Sequence, residues 1–519
     1  LITEPLRNFP KMFGFEGVKE FMPYKLYTKE NIEKKYIDYK YIVDNFIDNK
    51  EDLKLFDENI KKWYCKSSLN NVLEIDILEY SCQYCKIDVE ILKNGYEIFR
   101  ERCIDNFNID IDNVLTAPSL SYNYFIDKGC FDKVLKISGI PRQFIQKCVV
   151  GGRVMCSENK KIILLNYCGA DYDACSLYPS AKYRLGELGG FLIGEPKVLT
   201  NFNYEFVKNY DGFFVEILIV DVGIKRKFPL MSYINDDGVR IFTNDMIGKT
   251  IFVDKFSLED LIEFQKVKFK ILKGYYFDEG RNSKIKDTIK YVYDKRLELK
   301  SDGNKLEKIF KLLMNGLYGK TIQKETDDKI KIFNNKKDFD KYLTKNYNKI
   351  KEWVPYDNDT QYRAVVSADI TEHFNSCHVG CEILSMSKRI MNEVICLCED
   401  NNINIYYQDT DSLHIDKYDL DKIREIFMKK YGREISGDYL CQFNSDFDMN
   451  DVPDKETIYA RNSVFLGKKS YVDELVGIDE NGNEKVEYHY RMKGIPQNVI
   501  SYYCKQNNLT ILQLYKKLY

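Results

Sequence analysis

The chain has 519 residues, and its 78 Lys and Arg against 80 Asp and Glu give a formal net charge of −2. Hydrophobic residues at 44% and charged residues at 30% predict an ordered globular protein of several domains and exclude a disordered or fibrous chain. No apolar run reaches the 18 or so residues that cross a bilayer, so no membrane partner is predicted. Fifteen cysteines outside any short secreted framework, with only four histidines, favour reduced thiols in an intracellular protein over disulfides or a zinc site.

The two ends of the sequence bear on targeting and on whether it is part of a longer protein. Residues 1–24 mix charges with aromatic rings and have no signal-peptide core. Because the sequence lacks an initiating Met and stops at Tyr519 in a helical pattern, we expect it to be an internal fragment of a longer protein.

Periodicity predicts helices and strands in irregular alternation, which indicates the α+β class. Apolar residues spaced at threes and fours predict a helix over about 76–103, and the run 213–220 predicts a strand. Ser257 and Asp260 form a capping box that predicts the start of a helix. Residues 321–362 are rich in Lys, Asp and Asn and are predicted to be loop-like.

A helix is predicted from Val379 to Asp400, with a strand beginning at Ile403. Two stretches are basic: residues 281–311 hold ten Lys and Arg against five acids, and residues 320–352 hold ten against six. A charge run is usually only a solvated face, so these stretches need a motif beside them before they indicate a partner.

The stretch GADYDACSLYPSAKYRL contains Asp173 six residues before Pro179. Proline is tolerated in the first turn of a helix and not in the middle of a strand. The pattern therefore predicts that a strand ends near Asp173 and that the chain turns there. A carboxylate at such a strand end is placed to join other acids in a metal site for phosphoryl transfer.

In KLLMNGLYGKT, the side chains of Lys311, Asn315 and Tyr318 fall within roughly 60° of one another on a helical wheel. The Lys can meet a phosphate, and the Tyr ring can lie against a base or a sugar. An ordinary amphipathic surface helix is the alternative. Gly316 and Gly319 each cost about 1 kcal/mol relative to Ala within a helix, and they favour the close approach of a ligand or another backbone.

In IYYQDTDSLHI, two β-like runs flank Asp409 and Asp411, which predicts a tight hairpin. Strand alternation is expected to aim both carboxylates to the same side. Two carboxylates this close repel each other unless cations lie between them, and Mg²⁺ is the cation that such oxygen ligands hold. For this motif alone, the alternative is a polar turn that happens to contain two acids.

The three stretches, in this order, resemble motifs A, B and C of family B DNA polymerases. Their spacing is similar to that of the protein-primed branch found in viruses, virophages, linear plasmids and transposons, and the resemblance runs from about Tyr84 to Gly494. It implies a right-hand polymerase with the C-terminal part of a 3′-5′ exonuclease domain, lacking the N-terminal exonuclease motifs and most of the thumb. The implied segments are exonuclease 1–105, linker 106–150, palm 151–185 and 366–500, insertions 186–285 and 322–365, fingers 286–321 and the start of the thumb 501–519.

The resemblance also implies roles for individual residues. Asp173, Asp409 and Asp411 resemble the catalytic carboxylates, and Asp173, Asp411 and the carbonyl of Ala174 resemble the ligands of two Mg²⁺ ions, for which Mn²⁺ can substitute. The residues implied to bind the nucleotide are Ser176, Leu177, Tyr178, Lys300, Lys311, Asn315 and Tyr318. Tyr178 resembles the ring that excludes a 2′-hydroxyl.

Further residues are implied to hold DNA. Lys469 and Tyr471 match the Lys-x-Tyr motif that holds the primer end, and Lys493 matches a basic step leading into the thumb. Gly151 and Gly152 resemble the Tyr-x-Gly-Gly linker motif, although Val149 stands where that motif has its tyrosine.

Upstream, Tyr84 and Asp88 lie four apart on one predicted helix face. They resemble the third exonuclease motif, Tyr-x-x-x-Asp. A core tyrosine beside a surface acid is the alternative. The acids of the first exonuclease motif are expected to precede Leu1.

The implied reaction is template-directed DNA synthesis in the replication of a viral or mobile-element genome. The implied partners are template-primer DNA, a dNTP and a terminal protein primer, in the host cytoplasm, a viral factory or the nucleus. A nuclease or RNA polymerase would share the paired acids but would not need Tyr178 or the Lys311 face. The sequence is also compatible with a nucleic-acid-primed family B polymerase and with a non-catalytic, DNA-binding remnant.

Overall fold

The structure is a computed structural model that describes residues 4–17, 19–63, 66–69, 72–324, 328–356, 360–368 and 374–519. Within them the chain forms two compact units. The first comprises Leu1–Tyr124 and Asp294–Leu313, and the second comprises Phe125–Tyr293 and Met314–Tyr519. Helices and antiparallel sheets are mixed in both, which confirms the α+β prediction.

The first unit is a small antiparallel sheet with helices packed around it. Its elements are α1 (Phe9–Phe13), α2 (Lys29–Lys34), β1 (Tyr36–Asp38), α3 (Tyr39–Phe46), α4 (Lys50–Trp63), β2 (Lys66–Leu69), β3 (Val72–Asp76), α5 (Ile77–Phe107) and the first part of α6 (Ala117–Asp127). The strand order is β1-β3-β2, and the core includes Ile42, Phe56 and Tyr80. Helix α5 confirms the predicted helix, and the carboxylate of Asp76 caps it by accepting from the backbone N–H of Leu78 and Glu79.

The second unit begins inside the predicted linker 106–150, most of which is helical. Its elements up to the predicted fingers are α7 (Gly139–Lys147), β4 (Val154–Cys156), β5 (Ile162–Ala174), α8 (Leu177–Glu187), β6 (Phe191–Leu192), β7 (Lys197–Val198), α9 (Tyr204–Val207), β8 (Gly212–Val222), β9 (Ser232–Ile234), β10 (Arg240–Phe242), β11 (Thr250–Asp254), α10 (Lys255–Gln265), β12 (Val267–Phe277) and β13 (Arg281–Asn282). Helices α11 (Ile285–Ser301) and α12 (Glu307–Thr321) contribute to both units.

The remaining elements belong to the second unit. They are β14 (Asp328–Phe333), α13 (Lys336–Asn346), β15 (Ile350–Tyr356), β16 (Gln361–Ser367), α14 (Cys377–Asp400), β17 (Ile405–Asp409), β18 (Ser412–Asp416), α15 (Leu420–Tyr431), β19 (Phe443–Ser445), β20 (Tyr459–Gly467), β21 (Ser470–Ile478), β22 (Glu484–Met492), α16 (Gln497–Gln506) and α17 (Ile511–Leu518). Helix α14 confirms the predicted helix, and it is buried over most of its length.

A large antiparallel sheet forms the centre of the second unit. Its strand order is β22-β21-β20-β5-β18-β17-β4, and β19 pairs with the end of β5. Helix α14 packs against α8, which follows β5 in the chain. The sheet therefore brings together segments that are more than 200 residues apart in sequence.

The first predicted insertion, residues 186–285, contains a second sheet with the order β11-β8-β12-β7. Its core includes Phe213, Ile217 and Leu258, and β8 confirms the predicted strand. The capping residue predicted for α10 is wrong. Strand β11 runs directly into the helix, so Asp254 caps it and accepts from the backbone N–H of Ser257 at 3.2 Å.

The loop-like prediction for residues 321–362 is also wrong, because most of this segment is regular structure. Strands β14, β16 and β15 form an antiparallel sheet in that order, and α13 packs on it. Phe339 and Tyr362 stack with ring centroids 4.7 Å apart in a small core with Ala364 and Val366. The Lys, Asp and Asn residues lie on exposed faces around that core, where they hide its periodicity. Across all the described segments, no helix combines the length and apolarity that a bilayer span requires.

Candidate active site

Asp173 lies near the end of β5, where the chain leaves the central sheet. It faces Ser412 of β18 on one side and Asn444 of β19 on the other. The next two backbone N–H groups hold the turn: Ala174 donates to the carbonyl of Asp411 and Cys175 donates to that of Gln442, both at 2.8 Å. The strand-end position of Asp173 agrees with its prediction, and the bond from Ala174 brings it beside the motif C turn.

The motif C hairpin is tighter than the sequence predicts. Asp409 and Ser412 are paired strand residues, so Thr410 and Asp411 alone form the turn. Thr410 has a positive φ of 61°, and its N–H donates to the carbonyl of Arg153 at 2.9 Å. The expectation that strand alternation orients the two acids is therefore wrong, because Asp411 belongs to the turn and not to a strand.

Asp411 carries a strongly perturbed carboxyl group. Burial raises its pKa to about 6, and the nearby negative charges of Asp409 and Asp446 add to this effect. A carboxylate held among other acids at low dielectric is stabilised by a cation. Among the described residues, no group of three or more His, Cys, Asp or Glu side chains is arranged around one metal position.

Two carboxylates on adjoining segments nevertheless fit Mg²⁺. This ion is usually held by one or two carboxylates together with water and substrate phosphates, and it does not need a complete protein cage. Asp173 and Asp411 are predicted to supply such a pair of oxygen ligands, and their position on adjoining segments is compatible with that role. The ligand role of the Ala174 carbonyl stays a prediction, although the backbone bond places residue 174 against Asp411.

Asp409 forms an ion pair within the protein. The ammonium group of Lys469 lies 2.9 Å from its carboxylate, and the backbone N–H of Lys469 donates to the hydroxyl of Tyr407 at 2.8 Å. The ring of Tyr471 packs against that of Tyr407 at 5.2 Å. The structure thus brings the Lys-x-Tyr motif to the motif C hairpin. Lys493 follows β22, whose last residue pairs with Ser470, so it lies at the same end of the sheet.

Motifs A and B meet through two tyrosines. The rings of Tyr178 on α8 and Tyr318 on α12 are stacked, with centroids 4.3 Å apart and planes 20° from parallel. Burial raises the pKa of the Tyr178 hydroxyl, and Tyr318 adds to the shift. The buried ammonium group of Lys182 donates to the carbonyl of Met314, which ties the two helices together one turn away.

The other predicted nucleotide contacts lie on three helices, α8, α11 and α12, or directly before them. Ser176 has a positive φ of 50° and precedes α8, and the side chain of Leu177 is buried. Asn315 lies on α12 with Tyr318. Lys300 and Lys311 are exposed and belong to the first unit. Their phosphate contacts stay predictions.

Gly152 has a structural reason for being glycine. A Cβ atom there would lie 2.5 Å from the Cγ2 atom of Thr410, so a larger residue would displace the motif C turn. Gly151 is exposed, and no atom lies within 4 Å of the position a Cβ would take. Direct DNA contact by this pair stays a prediction.

Tyr84 and Asp88 lie on α5 in the first unit, one turn apart. The hydroxyls of Tyr84 and Tyr24 are 2.8 Å apart, and the ammonium group of Lys19 lies 2.6 Å from the carboxylate of Asp88. Lys19 also lies 4.8 Å from the centre of the Tyr84 ring. Both side chains therefore lie beside Lys19, which forms an ion pair with Asp88. Their role in an exonuclease site stays a prediction.

Sequence analysis missed a buried ionic network behind the motif C hairpin. His414 on β18 lies directly opposite Asp171 on β5, with 3.5 Å between its Nδ1 and a carboxylate oxygen. Its Nε2 lies 3.1 Å from the carboxylate of Asp473 on β21. Asp473 also accepts from Ser463 at 2.5 Å. The available signal was Asp171 two residues before Asp173, which places both on one face of a strand.

Comparisons with known proteins show the family to which the chain belongs. Residues 1–424 match the family described as DNA polymerase type B, organellar and viral, and the chain belongs to that family. It is 31% identical over 290 residues to a DNA polymerase of Acidianus bottle-shaped virus (isolate Italy/Pozzuoli), a match that covers 51% of this chain and 40% of that protein. It is 22% identical over 500 residues to a DNA polymerase of Kluyveromyces lactis, covering 93% and 45%.

The chain spans less than half the length of these two curated relatives. Among solved structures it is similar to Phi29 DNA polymerase complexed with primer-template DNA and incoming nucleotide substrates, with a TM-score of 0.59 and 15% identity over 98% of this chain and 72% of that one. Phi29 DNA polymerase complexed with single-stranded DNA gives a TM-score of 0.57 at 14% identity, with the same coverage. These similarities confirm the predicted right-hand polymerase fold.

The His414 network predicts a pH dependence of stability. Burial opposes the protonation of His414, but the charges of Asp171 and Asp473 outweigh it and raise its pKa to about 9. The charge of Asp409 acts in the same direction, and the Nδ1 atom of His489 lies 3.6 Å from the carboxylate of Asp473. A folded-state pKa above the unfolded one contributes stability that is complete below about pH 6.5 and is lost as the pH rises through about 9.

We expect His414→Asn to remove this contribution. The difference in unfolding free energy between wild type and variant should shrink by about 3 kcal/mol between pH 6.5 and pH 9, measured by chemical denaturation. His378→Asn is the matched control, because burial lowers the pKa of His378 to about 4 and keeps it neutral throughout this range. If the difference in unfolding free energy between wild type and His414→Asn stays constant with pH, the assignment of a protonated His414 is wrong.

Proposed function

We propose that this chain carries the core of a template-directed DNA polymerase that adds dNMP units to a primer hydroxyl. The observation that carries the proposal is the junction of β5 with the motif C turn, which sets Asp173 beside Asp411. Membership of the DNA polymerase type B family supports it, and so does the stacked pair of Tyr178 and Tyr318 at the meeting of α8 and α12. Because DNA and dNTPs are found inside cells, we place the reaction there.

In the proposed reaction the primer 3′-hydroxyl attacks the α-phosphate of a bound dNTP, and pyrophosphate leaves. Asp173 and Asp411, with the Ala174 carbonyl, would hold two Mg²⁺ ions, for which Mn²⁺ can substitute. Such ions lower the pKa of an attacking hydroxyl and neutralise a triphosphate. Asp409 supports the site through its ion pair with Lys469, which holds the motif C hairpin against the turn before β21.

The chain's own side chains position the substrates. Tyr178, supported from below by the Tyr318 ring, would lie against the sugar of the dNTP and exclude a 2′-hydroxyl. Ser176, Leu177 and Asn315 would complete the nucleotide site, and Lys300 and Lys311 would bind the triphosphate as point charges. Lys469, Tyr471 and Lys493 would hold the primer end, with Gly151 and Gly152 beside the template.

We further propose that priming uses a protein hydroxyl. The small sheet formed by β14, β15 and β16, with α13 packed on it, follows the motif B helix in the chain. Its exposed faces are rich in lysine. Loops and small units inserted beside a scaffold often carry binding functions. A terminal protein docked on this unit and on the sheet of residues 186–285 would present its Ser, Thr or Tyr in place of the primer end. Tyr84 and Asp88 are proposed as part of an exonuclease site.

Asp173→Ala and Asp411→Ala should each reduce primer extension in Mg²⁺ by at least about 10³-fold, because each removes one of two carboxylates that hold the metal. Binding of primer-template DNA, measured by fluorescence anisotropy, should stay within about twofold of wild type. Asp421→Ala is the matched control, since this acid is exposed on α15 and, within the described ranges, its one ion pair is with Arg424. Substantial synthesis by either site variant would reject the metal site, and inactive wild type would favour a non-catalytic, DNA-binding remnant.

Tyr178→Val should increase ribonucleotide incorporation relative to deoxynucleotide incorporation by about tenfold or more, because the ring that meets C2′ is removed. The ratio is measured by competition between dNTP and rNTP in single-nucleotide extension. Tyr183→Val, on the same helix but outside the site, should leave the ratio unchanged. An unchanged ratio in Tyr178→Val would remove this residue from sugar selection, and a wild type that prefers ribonucleotides would favour an RNA polymerase.

Replacing residues 328–367 by a short Gly-Ser linker should reduce protein priming while leaving nucleotide addition to a DNA primer intact. Asp328 pairs with Ser367, so the ends of the removed unit are adjacent and a linker of a few residues joins them. The variant should still fill short gaps on a primed template, which serves as its internal control. Strand displacement and nucleotide transfer to a terminal protein should both fall. If both remain at wild-type levels, a nucleic-acid-primed enzyme becomes the better assignment.

A further inference from the structure

A polar cavity of about 290 Å³ lies in the second unit, and its lining includes none of the residues assigned to the active site. Its walls come from four separate parts of the chain: the end of α7 with the residues that follow it, strands β9 to β11 and their flanks, helix α10 and helix α14. A volume of this size lies at the lower end of the range found for small-molecule sites, and it is close to that of a single nucleotide.

Four cationic side chains line the cavity: Lys147, Arg153, Arg240 and Lys388. Asp260 is the one acid in the lining, and its carboxylate is already held by Arg389 at 2.6 Å and by Asn392 at 2.9 Å. Within the described part of the chain, none of the four cations has a carboxylate oxygen within 4.0 Å. The cavity therefore carries an excess of positive charge.

Three of these cations, Lys388, Arg240 and Lys147, contact uncharged groups. The ammonium group of Lys388 donates to the carbonyls of Val150 and Leu384, at 2.5 and 3.0 Å. The guanidinium group of Arg240 donates to the hydroxyl of Ser232 at 3.0 Å. Lys147 lies 5.0 Å from the centre of the Phe252 ring. Donors remain on all three side chains for a ligand that enters the cavity.

The protonation equilibria agree with this excess of positive charge. Burial lowers the pKa of Lys388 to about 8, and the positive charge of Arg240 acts in the same direction. The negative charges of Asp254 and Asp260 oppose this shift but do not cancel the effect of burial. Burial also lowers the pKa of Arg240. A desolvated cation without a counter-ion is costly, and an anion in the cavity would offset that cost.

The rest of the lining is apolar and partly aromatic. It includes Leu230, Met231, Phe242, Ile251, Phe252 and Leu261. A bare inorganic anion would leave this surface without a partner. A ligand with a planar, largely apolar ring at one end and a negative charge at the other would satisfy both parts of the lining.

We propose that this cavity binds one nucleoside monophosphate unit, with its phosphate among Lys147, Arg240 and Lys388 and its base against Phe242 and Phe252. The unit comes either from a free nucleotide or from a nucleotide of a single-stranded DNA. The site adjoins the motif C turn through Arg153, whose side chain bonds Gln408 at 2.6 Å and whose carbonyl accepts from Thr410. The proposal does not depend on polymerase activity.

The test is calorimetric titration in EDTA, so that metal-dependent nucleotide binding at the active site does not contribute, while its metal-independent DNA contacts are the same in wild type and in every variant. The probes are dAMP and a ten-residue oligothymidylate, added to wild type, to Lys147→Gln/Arg240→Gln and to the control Lys268→Gln/Lys270→Gln. The control removes two exposed charges from β12 that do not line the cavity. We expect the dissociation constant of at least one probe to rise tenfold or more in the cavity variant and to stay unchanged in the control.

The two probes distinguish the sources of the ligand. If the cavity variant binds dAMP more weakly than wild type does, the site is one for free nucleotides. If only the oligonucleotide binds the variant more weakly, the site is one for a DNA strand. Equal binding to wild type and cavity variant, or competition by inorganic phosphate as strong as by dAMP, would overturn the proposal. If the cavity variant fails to fold, acetylation of wild-type Lys147 followed by mass spectrometry decides instead. Protection by a probe supports the site, and unchanged labelling overturns it.

Discussion

The pairing of β5 with β18 is the constraint on which the rest of the site depends. One ladder sets Ser412 opposite Asp173 and, two residues further along, His414 opposite Asp171. The first pair brings the motif A acid to the motif C turn. The second pair places His414 beside Asp171. The other side of the His414 ring faces Asp473, which extends the buried network to β21. Breaking a buried ion pair leaves an uncompensated charge, so slippage of this register would be costly.

Charge compensation explains how so many acids can lie at one end of the sheet. Asp171 and Asp473 share His414, and Asp409 is paired with Lys469. Burial and its acidic neighbours act together on Asp411 and raise the pKa of its carboxyl group. A cation at this position, where the metal is proposed to bind, would offset that effect. The proposed nucleotide cavity has an excess of positive charge, with Arg153 linking it to the same hairpin.

Local patterns in the sequence were sufficient for much of this site. Pro179 marked the strand end at Asp173, and helical spacing placed Asn315 and Tyr318 on one helix. The resemblance added Lys469, which no local pattern connects to Asp409. At the motif C turn the prediction was wrong because strand pairing decides the outcome. The register of β17 with β18 pairs Asp409 with Ser412 and leaves Asp411 in a two-residue turn, which strand alternation could not reveal.

Other features depended on contacts between distant segments. Residues 321–362, which contain most of the sheet formed by β14, β15 and β16, were predicted to be loop-like. The small core of this sheet is formed by rings from four separate elements among many exposed lysines, so it leaves no regular pattern. The His414 network needs three strands in register, and the lining of the cavity comes from four parts of the chain. None of these leaves a continuous signal in the sequence, although Asp171 and Asp173 on one strand face were a partial one.

Metal-directed backbone cleavage tests the pairing of Asp173 with Asp411 most directly. Fe²⁺ takes the place of Mg²⁺ in the presence of ascorbate and peroxide, and the fragments are identified by mass spectrometry. Cuts are expected both at 173–176 and at 409–412, and both sets should disappear in Asp173→Ala and in Asp411→Ala. Cuts in only one of these segments, or cuts that persist in both variants, would contradict a metal site shared by the strand end and the hairpin.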